Sequence, residues 1–307
     1  MSSLIEKATL RLEQLRKAGA ILSDENESLP DDESRSQTNI DTGRPARPRV
    51  PQHQSVSVLS RHVEINLEAL SKAGIVSPNA PRSQVADQFR VIKRPLISNA
   101  MGKGASVIAN GNLIMVTSAL PGEGKSFTAI NLALSISTEL DNTVMLVDAD
   151  VARPSVLRVL GLPAGPGLLE LLLDESEDMS RMLLKTNIDK LSILPSGSPH
   201  ERATELLASD SMTRLLNDMA KRYPDRIIIF DSPPLLLTTE SRVLATHMGQ
   251  IVMVVKAEST LQEDVLNALS TIEACPVKML VLNQARAESK SAYGYGYGYG
   301  YGYGAGQ

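Results

Sequence analysis

Lys125 and Ser126 stand side by side at the end of a glycine-bearing run, LIMVTSALPGEGKS, residues 113–126. An apolar strand, a short Gly-rich turn and a helix in that order let backbone N–H groups point at a chain of phosphates. Lys125 would then bridge the β- and γ-phosphates and the Ser126 hydroxyl would ligand Mg²⁺, with the phosphates on the positive end of the following helix. Ala119 stands where the G-x-x-x-x-G-K-S/T pattern has its first glycine, while Gly122 and Gly124 are in place. A turn with an incidental Lys-Ser is the plain alternative; the strand before and the helix after favour the phosphate cradle.

Carboxylates end two further apolar runs. Asp148 and Asp150 sit two residues apart in VDADVARP, at a strand exit where their relative aim is open. Such a pair holds Mg²⁺, or one acid orients and deprotonates an acceptor hydroxyl while the other serves the metal; a solvated acidic loop is the alternative. Asp231 follows Ile227-Ile-Ile-Phe230 and fits an acid that holds the Mg²⁺ shell from a neighbouring strand. Asn283, at the end of the last strand candidate, could bond an adenine through its amide or simply form a turn. His53, His62, His200 and His247 show no metal-ligand spacing, and Ser126 and Ser232 lack the G-x-S-x-G elbow. Metal hydrolysis and serine catalysis are therefore set aside.

Positioning these groups requires a large α/β domain. The chain has 307 residues, 42% of them hydrophobic, enough for a sizeable core. Strand candidates at 113–117, 143–147, 191–194, 226–230, 251–255 and 279–282 alternate with helical stretches such as 125–140 and 201–222. That alternation, with most strands apolar throughout, predicts a mostly parallel sheet covered on both faces. Residues 84–93 also look helical, and 63–70 form a short strand or helix. The formal net charge of −4, with both signs interspersed, gives no basic stripe for nucleic acid. The single Cys275 excludes an intrachain disulfide.

Outside that domain the composition changes. Residues 1–20 read as an amphipathic helix, with Leu4, Ile5, Ala8, Leu12 and Leu15 near helical spacing, docked on a partner or on its own domain. Residues 21–60, acidic and then Pro-rich, read as a disordered linker. Residues 61–110 form an N-terminal extension, 111–290 the nucleotide domain, and 291–307 a disordered tail in which six tyrosines alternate with glycine. No run is long and apolar enough for a bilayer span, and no signal peptide is evident, so a cytoplasmic chain is expected.

PGEGKS, VDADVARPS, IIIFDSPPLL and the Tyr-rich tail together resemble the bacterial tyrosine kinases of exopolysaccharide production, especially the tyrosine autokinases linked to exosortase systems. The resemblance runs from about Val85 to the C-terminus. It implies a doubly wound P-loop NTPase fold of the partition-ATPase-like kind, with ATP and Mg²⁺ as cofactors. Carried onto this sequence, Lys125, Asp148, Asp150 and Asp231 are catalytic, and Ser126, Asp150 and Asp231 hold the metal. Pro121, Gly122, Glu123, Gly124, Lys125, Ser126 and Phe127 contact the nucleotide, with Asn283. The acceptors are Tyr293, Tyr295, Tyr297, Tyr299, Tyr301 and Tyr303. Where relatives often have two arginines after the acids corresponding to Asp148 and Asp150, this chain has Ala152 then Arg153.

The family's E-x-x-R-x-x-R ring helix corresponds here to Asp87, Arg90 and Lys93, followed by Arg94; an ordinary charged helix face is the alternative. The resemblance further implies a ring-like homo-oligomer, a separate membrane-spanning chain-length regulator that brings the protein to the inner face of the membrane, and a phosphotyrosine phosphatase, with no nucleic acid. A partition or positioning switch ATPase is the main rival. Such switches carry a second lysine early in the P-loop, where this chain has Ser118-Ala119-Leu120, and they have no use for a tyrosine tail. A sticky adhesive tail with no acceptor role is a second rival.

Overall fold

Alternate residues of the apolar strands feed two separate cores, one on each face of a single sheet. The computed structural model describes residues 61–78, 83–222 and 225–286, all within the unit Val56–Gln307. The amphipathic segment 1–20, the linker 21–60 and the acceptor tyrosines of 291–307 lie outside the described residues.

The strands are β1 (Arg61–Val63), β2 (Leu113–Ser118), β3 (Thr143–Asp148), β4 (Leu184–Thr186), β5 (Leu191–Leu194), β6 (Arg226–Asp231), β7 (Gln250–Lys256) and β8 (Val277–Asn283). The helices are α1 (Leu67–Lys72), α2 (Gln84–Ala100), α3 (Lys125–Ser137), α4 (Val156–Val159), α5 (Leu168–Leu173), α6 (Met179–Met182), α7 (Ala203–Leu207), α8 (Asp210–Arg222), α9 (Thr239–Ala245) and α10 (Gln262–Ser270). The sheet order is β1-β4-β5-β3-β6-β2-β7-β8. From β5 to β8 every neighbouring pair is parallel, whereas β4 runs antiparallel to β5 and carries β1 parallel to itself.

On β2, Ile114 and Val116 join Ile130, Ala133 and Leu134 of α3 in one core, while Leu113 and Met115 join Leu168, Met212 and Leu216 in the other. Both faces being covered explains why the central strands lack polar alternation. Each fully buried Leu or Ile contributes roughly 1.5–3 kcal/mol relative to exposure. The chain is thus a mostly parallel, doubly wound α/β domain, as its strand and helix alternation predicts. At the β8 edge Leu280 and Leu282 face outward while Met279 and Val281 pack inward, so alternation returns where one face is uncovered.

The stretch 61–110, set apart in the sequence as an extension, is built into the same sheet and core. Leu96 of α2 is fully buried. The buried Gln250 of β7 donates to the Leu96 and Gly111 carbonyls and accepts from Asn99 Nδ2. Asn131 of α3 accepts from Val76 N at 2.7 Å and donates to Phe127 O. These buried hydrogen bonds tie Val76 and α2 to α3 and β7.

Helix α2 continues past the expected residue 93 and contains Pro95. Proline deprives the carbonyl four residues earlier of its donor. That residue is Val91, on the exposed side of the helix, where water can take the lost bond. The helix expected over 201–222 is two helices, because Ser209 Oγ accepts from Met212 N and starts α8 afresh. Strands β1 and β4 have three residues each, too short for hydrophobic periodicity to register.

Candidate active site

Three adjacent strands, β3, β6 and β2, bring the separate motifs to one edge of the sheet. Asp148 is registered beside Asp231, and Asp231 beside Val116, two residues before β2 ends. Ligand sites of open α/β sheets gather at the C-terminal ends of strands, and here those ends carry the P-loop and two acids.

The loop between β2 and α3 turns through Gly122 (φ 81°) and Gly124 (φ 95°). The positive φ at Gly124 favours glycine, and a Cβ there would also displace the Asn283 amide. Glu123, expected to face nucleotide, is 2% exposed. Its carboxylate accepts from Leu120 N at 2.8 Å and from the Thr260 hydroxyl, so the side chain holds the loop in shape and only its backbone is free for phosphate. Asn283 donates to Glu123 O at 2.9 Å, tying the end of β8 to the P-loop. Phe127 packs at 6.4 Å from Phe89 of α2, placing its ring with the core. Thr260 is the support that sequence reasoning missed; lying 137 residues from Glu123, it carries no local signal.

Lys125 Nζ is 2.6 Å from Asp150 Oδ2 and 3.9 Å from Asp231 Oδ1. Asp148 and Asp150 diverge. Asp148 Oδ2 accepts from Ser155 N at 3.0 Å and Val156 N at 2.9 Å, capping α4 from a neighbouring strand, and its Oδ1 is buried without a hydrogen bond. Asp150 instead borders a cleft of about 560 Å³ lined by Pro121, Gly122, Lys125 and Ser126 on the P-loop side, and by Ala152, Arg153, Ser155, Arg158, Pro233, Pro234 and Leu237 elsewhere. Asp148 and Asp231 lie outside that lining. Of the four expected catalytic residues, the cleft therefore presents Lys125 and Asp150, with the other two acids buried beside them.

Burial raises the Asp148 carboxyl to about 7, helped by the neighbouring Asp231 charge and resisted by its two backbone bonds. Burial likewise raises Asp231 to about 6, with Lys125 the main opposing influence. Neither Asp231 oxygen makes a hydrogen bond of good geometry. Two orphaned carboxylate oxygens near the Ser126 hydroxyl, with Asp150 alongside, fit a small hard cation. Mg²⁺ takes one or two carboxylates and completes its shell with phosphate and water.

A pH dependence follows from Asp148. A carboxyl held above its unfolded value stays protonated in the fold where the unfolded chain has lost its proton. Its contribution is therefore fully present below about pH 4 and is lost as pH rises through about 7. At pH 8 in chelator, Asp148→Asn, which keeps an oxygen for the Ser155 and Val156 amides, should raise the melting temperature by several degrees. At pH 4 the difference should shrink. An equal shift at both pH values would assign the effect to packing instead.

The ring-helix residues divide. Asp87 and Arg90 pair with each other at 2.5 Å on the surface, and Arg94 is exposed. Lys93 is a correction to the outward-facing set. It is 4% exposed, and its ammonium reaches Glu139 at 2.7 Å and the Ser135 carbonyl. A buried ammonium must be paired, and its partners here lie in its own chain.

Residues 110–282 match the family described as "ParA: NUBPL iron-transfer P-loop NTPase". The chain is 31% identical over 206 residues to the tyrosine-protein kinase YwqD of Bacillus subtilis, covering 67% of this chain and 83% of that one. It is 29% identical over 245 residues to the tyrosine-protein kinase ptk of Acinetobacter johnsonii, covering 79% of this chain and 31% of that one. Among solved structures, the BceF tyrosine kinase domain superposes with a TM-score of 0.57 at 25% identity, covering 70% of this chain and 86% of that domain. Among the described residues no helix is long and apolar enough to cross a membrane.

Proposed function

Because the chain belongs to the ParA-like P-loop NTPases and, among them, to the bacterial tyrosine-protein kinases, we propose that it uses Mg-ATP to phosphorylate Tyr293, Tyr295, Tyr297, Tyr299, Tyr301 and Tyr303 of a neighbouring copy. The observation that carries this reading is the cleft, where the P-loop lysine and the cleft-lining carboxylate of Asp150 meet in front of a wall that includes the exposed Leu237. A switch ATPase needs room for water alone; this wall offers apolar surface to an aromatic ring.

In the proposed reaction Lys125 places its charge on the β- and γ-phosphates, and the P-loop N–H groups orient them. Asp150 receives the proton of the acceptor hydroxyl. The tyrosine oxygen forms a bond to the γ-phosphorus, the bond from that phosphorus to the β–γ bridging oxygen breaks, and ADP leaves. Ser126, Asp231 and Asp150 would hold Mg²⁺, which would neutralise charge on the phosphates. Asp148 acts at one remove by fixing the start of α4 against β3.

The wider expectation is a kinase that assembles as a ring through the α2 face, is activated by a separate membrane-spanning chain-length regulator, and thereby sits at the inner face of the membrane. A phosphatase resets it, and its output is control of exopolysaccharide synthesis and export. Intact mass after incubation with Mg-ATP tests the core of this reading. A ladder of up to six phosphates, matching the six tail tyrosines, is expected. Unchanged mass with release of ADP would identify a switch ATPase.

A further inference from the structure

We propose that Arg153 and Arg158 form a second anion site in the cleft, one that holds a phosphotyrosine already made and sets the next tyrosine of the tail against Asp150. The inference rests on the tail being the acceptor.

Both arginines are exposed and line the same cleft as Lys125 and Asp150. Among the described residues neither guanidinium makes an ion pair or hydrogen bond, whereas Arg90, Arg181, Arg214 and Arg222 each have an acidic neighbour. Arg153 is tied to the reacting acid, since its N–H donates to Asp150 Oδ1 at 3.1 Å. Arg158 rides on α4, whose start is clamped by Asp148. Two guanidinium forks suit a dianionic phosphate, which accepts bidentate charge-assisted bonds.

The acceptor sequence supplies the matching ligand. Residues 291–307 contain no Asp or Glu, so the anions its tyrosine run can offer are phosphates it has acquired. In an extended peptide, residues two apart face the same side about 6.6–6.8 Å from each other. A phosphotyrosine on the arginines therefore leaves the neighbouring hydroxyl within a cleft's width, toward Asp150. Lys125, Ser126 and the P-loop backbone line the same cleft and would serve the triphosphate there. The first phosphate is then the slow one, and later phosphates follow faster.

The test gives the full-length enzyme two peptides of residues 291–307, one unmodified and one carrying phosphotyrosine at Tyr299, and follows added phosphate by mass. The primed peptide should show kcat/KM about tenfold higher, the ratio that one charge-assisted hydrogen bond supplies. Arg158→Gln and Arg153→Gln should each bring the primed-to-unprimed ratio toward one. Equal rates for the two peptides with wild-type enzyme overturn the primed site and leave the kinase reading standing. A ratio that survives both substitutions, or a loss confined to the KM for ATP, overturns it too by placing these arginines elsewhere. If neither peptide is phosphorylated, the acceptor reading fails and this inference goes with it.

Discussion

A Lys125→Met chain should keep its fold and lose tail phosphorylation by at least about two to three orders of magnitude, the scale on which one group that stabilises developing charge acts. Positioning and electrostatics supply nearly all of phosphoryl-transfer catalysis, and Lys125 is the cation of the P-loop side of the cleft. The substitution has a second consequence in this protein. Lys125 is the largest influence holding down the Asp231 carboxyl, which burial already raises to about 6. Without the ammonium that carboxyl rises further. Asp150 loses its 2.6 Å partner as well. The measurement is phosphate per chain by intact mass, with circular dichroism to confirm the fold. Wild-type labelling by a folded mutant would remove the P-loop from the mechanism.

The parts of this site that were legible in the sequence are those where chemistry limits the residue. A phosphate cradle requires glycines at Gly122 and Gly124, and their positive φ angles are what the motif demands. The acids at Asp148, Asp150 and Asp231 follow long apolar runs, so strand ends could be placed before any coordinates. What local pattern could not convey was direction. Asp148 and Asp150 are separated by one residue, yet one caps a helix and the other meets Lys125, because the chain leaves β3 between them. Glu123 looked like a phosphate-loop residue and is a buried brace whose partner comes from the far end of the domain. Lys93 looked like an interface charge, since a repeat of charged residues at helical spacing does not say which face the core covers; the burial of Phe89 and Leu96 turns Lys93 inward with them. The order β3-β6-β2, which assembles the site, is a property of crossovers and has no trace in any single motif.

Mixing a Lys125→Met chain that keeps its tail with an active chain truncated after Ser291 should place phosphate on the inactive chain's tyrosines. The active partner has no acceptor run and the acceptor partner no working P-loop, so label on the tail can arise only between subunits. Geometry makes the experiment necessary. β8 ends against the P-loop, with Asn283 and Gln284 donating to the Glu123 and Gly122 carbonyls, so the described residues end beside the chain's own site. A Gly-rich coil spans on average about 5–6 Å × √n, enough for either route. Assembly would favour the neighbour by raising its effective concentration. Each phosphotyrosine adds roughly −1.5 to −2 charge. Several on one tail fall within about 8 Å, the Debye length at physiological salt, so converging tails repel as they fill. Labelling should accordingly rise with protein concentration at first, and heavily phosphorylated chains should elute as smaller species in light scattering. No phosphate on the inactive chain, under conditions where the full-length enzyme labels itself, would establish that each chain serves its own tail.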